Sequence, residues 1–210
     1  MTVLRIDSSI QGSRSSSSAL ADIVTAELLK ARPHEALVSR HLAVDPLPAD
    51  AWATAVGASW TPEDQRNPEQ RAAYALASTI ASELRNADAA VLALPLYNWG
   101  VSQHVKTWID LAIAGAPQGE RLLEGKPVVL ITTRGGAYGP GTPKEGWDYN
   151  VIYLRRILEE VWGAQLTVIE RELTLAGVAP GMEALIELGE MSRKTAEEAA
   201  TEAGLALAAR

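Results

Sequence analysis

Short apolar runs alternate along this chain with longer stretches whose apolar residues recur at helical spacing. Alternation of that kind predicts a parallel sheet with crossover helices. Val3–Ile6 reads as the first strand. Leu20, Ile23, Val24 and Leu28 share one helical face, which predicts a helix over Ser16–Ala31 that stops before Pro33. Glu35–His41 alternates as a second strand. Residues 43–62, with Pro46, Pro48, Gly57 and Pro62, read as a long connection, and Thr61 or Asn67 is placed to cap a helix running to about Leu84. Ala89–Leu94 and Pro127–Thr132 are continuous apolar runs, as expected of strands buried on both faces. Further helices are expected over Ser102–Ala114, Asn150–Val161 and Met182–Ala208, with a fifth strand over Gln165–Ile169.

No internal repeat or low-complexity linker interrupts this pattern, so residues 1–210 are expected to form one α/β domain. Five strands with right-handed crossovers fit a three-layer, flavodoxin-like fold with a parallel sheet in the order 2-1-3-4-5. Ligands of such sheets bind beyond the carboxyl ends of the strands, near the switch point between strands 1 and 3. The loops Ser8–Ser17, Pro95–Gly100 and Thr133–Tyr138 should therefore converge on one site.

Those loops carry unusual chemistry. Four consecutive serines, Ser15 to Ser18, stand where the first helix begins. A helix start offers unpaired N–H groups and the positive end of the helix dipole, and hydroxyls there either cap the helix or help to hold a phosphate. The segment has no Lys, so it is not the P-loop, and Gly12 stands alone where the dinucleotide fingerprint needs three glycines. One reading is a neutral, hydroxyl-rich phosphate cup that suits a mononucleotide such as FMN. The other is a capped helix behind a flexible serine loop. In the second loop Pro95 ends the strand and Asn98 is placed to cap the following helix. Tyr97 and Trp99 offer flat surfaces there, and Gly100 permits close approach of a planar ligand. In the third loop the N–H groups of Gly135 and Gly136 are available to ring oxygens or nitrogens, although a simple turn accounts for both glycines.

Composition narrows the classes. A net charge of −7 argues against a nucleic-acid footprint. The absence of Cys excludes disulfides, thiol catalysis and Cys-based metal sites. His34, His41 and His104 are far apart and in no metal-ligand spacing, so no metal is expected. No run of 18 apolar residues implies a membrane span, and the first residues lack the build of a signal peptide, so a cytoplasmic protein is expected. With 6 Trp, 5 Tyr and no Phe, every position needing a flat apolar ring must use Trp or Tyr.

The three loops together resemble the FMN-dependent NADH-azoreductases, which are also quinone reductases. The matching residues are Ser9 with Ser15, Ser16 and Ser17, then Pro95, Leu96, Tyr97, Asn98 and Trp99, then Thr133, Arg134, Gly135 and Gly136. The family has Met at the position of Leu96, Phe at that of Trp99, and often Ser at that of Thr133. Asp45–Pro48 and Lys106–Asp110 also resemble family stretches, and the similarity runs to about Gly163. The resemblance implies that Ser9 and Ser15–Ser17 hold the FMN phosphate and that Leu96–Trp99 and Thr133–Gly136, with Pro95, line the isoalloxazine. It implies a homodimer with the flavin at the subunit interface. It also implies ping-pong transfer, in which NADH or NADPH gives a hydride to the flavin and a quinone or azo compound then takes two electrons. Chemistry belongs to the cofactor, so no side chain is assigned as catalytic.

Trp99 and Tyr138 are the candidates for the substrate side, and the Gly- and Pro-rich stretch Gly139–Trp147 for a lid. Arg134 fits either a flavin oxygen or phosphate or a structural ion pair. His104 fits a solvated or interface position better than a substrate contact, and Lys106 and Asp110 an i,i+4 surface pair. Trp52 and Trp60 fit a dimer surface if exposed. Two other functions share the fold: a flavodoxin-type FMN electron carrier, and a scaffold without cofactor.

Overall fold

The two continuous apolar runs become the centre of the sheet. The computed structural model describes residues 1–210. β3 (Ala89–Ala93) is buried at every position, and β4 (Pro127–Thr133) at every position after its first. β1 (Thr2–Asp7) pairs with both β3 and the edge strand β2 (Ala36–His41), whose first four residues are exposed. β5 (Gln165–Arg171) closes the other edge against β4. All pairings are parallel, and the order is β2-β1-β3-β4-β5, as the chain pattern predicts.

Helices cover both faces. α1 (Ser16–Ala31) and α6 (Ile186–Ala208) enclose one core with Val3, Val91, Val129 and Ile131. The opposite core, with Leu4, Ile6, Leu92 and Leu130, lies under α2 (Ala51–Ser59), α3 (Pro68–Asn86), α4 (Gln103–Ala114) and α5 (Tyr149–Arg155). Within it the buried indoles of Trp108 and Trp162 meet edge to face, with ring centroids 5.6 Å apart.

Three elements differ from the sequence reading. The connection 43–62 contains α2, whose Ala51, Ala55 and Ala58 are buried at helical spacing between the flanking prolines. α3 starts at the second of the two caps considered: Asn67 accepts the Gln70 N–H while the Gln70 side chain accepts the Asn67 N–H. The expected helix 150–161 divides, the α-helix passing into a π-helical segment over Arg156–Val161. None of the helices is long and apolar enough to cross a membrane.

Candidate functional site

The carboxyl ends of β1, β3 and β4 open onto one cleft of about 300 Å³. Its walls come from Ser9, Gln11, Arg14 and Ser16 in the first loop, Pro95, Leu96 and Tyr97 in the second, and Thr133 and Gly135 in the third. A fourth segment, after β5, adds Thr174, Leu175 and Val178. The parallel order forces this meeting, because every strand delivers its following loop to the same end of the sheet.

Tyr97 ties the first loop to the second. Its hydroxyl lies 3.3 Å from Ser9 Oγ and accepts the Ile10 N–H at 3.0 Å. The serine run divides its labour. Ser15 is the N-cap of α1, its Oγ accepting the Ser18 N–H at 3.1 Å and lying 3.2 Å from Ser17 Oγ. Ser15 and Ser17 are thus buried against the helix start, while Ser9 and Ser16 face the cleft. The capping reading of the run is thus the one seen at Ser15, and Ser9 and Ser16 are the serines that line the cleft.

The second loop is a miniature hairpin. Tyr97 and Gly100 exchange both backbone hydrogen bonds, at 3.0 and 3.1 Å, around Asn98 and Trp99. These two residues have φ of 47° and 65°, as a tight two-residue turn of this hand requires. Asn98 is consequently not the cap of α4. Ser102 is, its Oγ accepting the Val105 N–H. Trp99 projects from the hairpin tip, is half exposed, and does not line the cleft. Its ring meets Trp147 edge on, and its carbonyl accepts the Tyr149 N–H at 3.0 Å.

The third loop packs against the segment that follows β5. Leu173 N–H bonds Gly136 O, Thr174 N–H bonds Arg134 O and Leu175 N–H bonds Gly135 O. A Cβ on Gly135 would stand 2.7 Å from Leu175 Cδ1, so any larger residue there displaces the tip of that side chain. Gly136 lies beside this wall, near the Lys144 ammonium.

Arg134 contributes its backbone to this contact, but its side chain serves structure. The guanidinium is buried and donates to Asp148 at 2.5 Å, Glu170 at 2.8 Å and Glu172 at 3.0 Å. Burial works to lower its pKa, and the Glu170 and Asp148 carboxylates more than offset that, leaving it raised. Of the two roles the sequence allows Arg134, the ion pair is the one observed. Asp148 also caps α5, accepting from Asn150 and Val151, and the Asn150 side chain bonds Leu94 O and Thr132 Oγ1 inside the core.

Tyr138 stands outside the cleft. Its N–H donates to Glu172, and its ring lies 5.3 Å from Lys144 Nζ. His104 is half-buried on α4, Lys106 pairs with Asp110, and Trp52 and Trp60 are exposed. Gln11, Arg14, Thr174, Leu175 and Val178 are cleft residues that the sequence reading missed. Arg14 adjoins the serine run and was there to be noticed. The other four belong to no motif.

Residues 1–179 match the family model described as flavodoxin-like fold. FMN-dependent NADH:quinone oxidoreductases of Parafrankia sp. and Frankia casuarinae are 36% and 37% identical to this chain, over 94% of it and 96% of their own lengths. The chain belongs to this family. Among solved structures, an azoreductase from Bacillus anthracis str. Sterne covers both chains fully, with a TM-score of 0.75 at 18% identity. The FMN-dependent NADH-azoreductase of Bacillus anthracis str. Ames Ancestor, solved with FMN, gives 0.74 over 96% of this chain and 97% of its own, also at 18% identity. These two likenesses bear on the fold.

The cleft fits the family's cofactor. The Ser9 and Ser16 hydroxyls, the α1 N-terminus and Arg14 are donors of the kind that suit a phosphate. Pro95, Leu96 and Leu175 add apolar surface, and Gly135 adds bare backbone, in the same cleft. Such a pairing of polar donors with apolar walls suits a phosphorylated flavin.

Proposed function

We propose that this chain is an FMN-dependent oxidoreductase that uses NADH or NADPH to reduce quinones and azo compounds, acting as a cytoplasmic homodimer. The observation that carries the reading is the single cleft in which the serine loop, the Pro95–Tyr97 wall and the Gly135 loop meet, in a chain whose relatives, matched over 96% of their own lengths, are named for NADH:quinone oxidoreduction with FMN. When bound, FMN supplies the two-electron chemistry.

The residues act by holding and excluding. Ser9, Ser16 and the first N–H groups of α1 anchor the phosphate. Pro95, Leu96 and Leu175 keep the ring plane fixed, and the N–H groups at Gly135 and Gly136 favour electron density on the ring edge beside them. Donor and acceptor must each reach the face left open, so they take turns. The exposed aromatic patch of Trp99, Trp147 and Tyr149 supports a second subunit as the remaining wall of that face.

The test begins with an absorption spectrum of the purified protein. NADH alone should bleach the bound flavin, whereas an electron carrier would need a separate reductase. Initial rates with NADH and a benzoquinone should give parallel reciprocal lines, and intersecting lines would refute the alternating use of one face.

A further inference from the structure

Arg14 is the one charged residue among the twelve that line the cleft. It ends the 3-10 turn Gly12–Arg14, one residue before the N-cap of α1, and is exposed at the rim. Its guanidinium has no carboxylate within ion-pairing distance, whereas 13 ion pairs engage Arg side chains elsewhere in the chain. Behind the serine run, Arg5 is already committed: it bonds Asp7 at 2.7 Å and Asp22 at 2.6 Å, and donates to Ser18 O at 3.3 Å. That group sets one cation against two carboxylates, so the ground beneath the cup is net negative.

A phosphate monoester carries between one and a half and two negative charges at neutral pH, roughly. Hydroxyls and backbone N–H groups satisfy its oxygens but supply no full positive charge. In a chain of net charge −7, a compensating cation must stand at the cup itself. Arg14 is the only cleft residue that meets this need, and a guanidinium matches two phosphate oxygens at once.

We propose that Arg14 is the charge-compensating clasp for the cofactor phosphate, and that it makes the site select phosphorylated flavin over riboflavin. The proposal rests on the FMN reading given above. Because Arg14 sits on the rim and not beneath the ring, its contribution concerns the phosphate alone and is open to screening by salt.

The experiment uses the apoprotein of the wild type, Arg14→Gln and Arg14→Lys, titrated with FMN and with riboflavin by flavin fluorescence at several NaCl concentrations. At low salt, Arg14→Gln should weaken FMN about tenfold, the loss of one charge-assisted contact. Its riboflavin affinity should equal that of the wild type, and its FMN affinity should depend less on salt. Arg14→Lys should recover part of the loss. Unchanged FMN affinity in Arg14→Gln would overturn the clasp and leave the FMN reading standing. Equal loss of both flavins would also overturn it, by assigning Arg14 to the shape of the loop. A wild-type apoprotein that takes up neither flavin would overturn the FMN reading itself, and the clasp with it.

Discussion

The indoles of Trp99 and Trp147 meet edge to face, with centroids 6.2 Å apart and planes at 67°. The contact joins the tip of the second loop to the end of the 139–147 stretch, outside the cleft walls. Trp99→Phe should therefore change the ratio of rates with quinone and azo acceptors while FMN affinity stays within about threefold of wild type, because an aromatic contact of this kind contributes about 0.5–1.5 kcal/mol and the flavin is held by other groups. Loss of FMN at unchanged acceptor ratios would identify Trp99 as a flavin anchor.

Ser15 and Ser16 should separate stability from binding. Ser15→Ala removes the cap of α1 and should cost about 1 kcal/mol in chemical denaturation of the apoprotein. Ser16→Ala should leave that stability nearly unchanged and weaken FMN. Denaturation and FMN titration of both variants check the pair, and the reverse pattern would exchange their roles.

Much of this site was legible in the chain. The three motif loops follow buried strands, and parallel order brings their ends together, so Ser9, Ser16, Tyr97 and Gly135 fall in one cleft without any knowledge of contacts. Asn67 was readable as a cap because Gln70 completes the box. What stayed hidden depended on tertiary neighbours. Thr174, Leu175 and Val178 carry no local signal, and they reach the cleft because the turns after β5 fold back onto Arg134 and Gly135, whose carbonyls accept the Thr174 and Leu175 N–H groups. Asn98 and Trp99 adopt left-handed conformations because the hairpin closes on Gly100, which no property of an indole foretells. The α2 helix was masked by its flanking prolines, though its alanines at 51, 55 and 58 carried the period.

Gly135→Ala should push Leu175 out of its place, since the new methyl would lie 2.7 Å from Leu175 Cδ1. The expected result is weaker FMN binding, with a stability loss at the lower end of the roughly 1–3 kcal/mol typical of overpacking, because the atom that must move is the mobile tip of a leucine. Truncating the neighbour should make room: Gly135→Ala with Leu175→Ala should bind FMN better than Gly135→Ala alone. Titration of the wild type and both variants tests this, and an absence of rescue would show that the backbone N–H groups, not the side-chain wall, are what the methyl disturbs.

Acid should weaken the molecule partly through Glu120. Its bidentate bond to Arg85 at 2.7 Å holds the carboxyl below its ordinary value near 4.5. A carboxylate with a depressed folded-state pKa adds stability above its unfolded value and loses it as pH falls through the folded one. The pair is largely solvated, so the contribution should be about 0.2–1 kcal/mol. Denaturation curves of wild type and Glu120→Gln should differ by a constant amount above about pH 5 and converge below pH 4.5. A gap that widens on acidification would contradict this sign.

The Arg134 guanidinium holds Asp148 on one side and Glu172 on the other, and the Glu172 carboxylate in turn receives the Tyr138 N–H. One side chain therefore fastens the departure and the return of the 138–148 excursion. What lies between those two points touches the neighbouring loops chiefly through Lys144 near Gly136 and Trp147 against Trp99. Residues can be added, deleted or exchanged there at little entropic penalty, because lengthening a closed loop is inexpensive. The excursion is thus a graft site. A surface segment clamped in this way can change in length or sequence while the walls of the cleft keep their place.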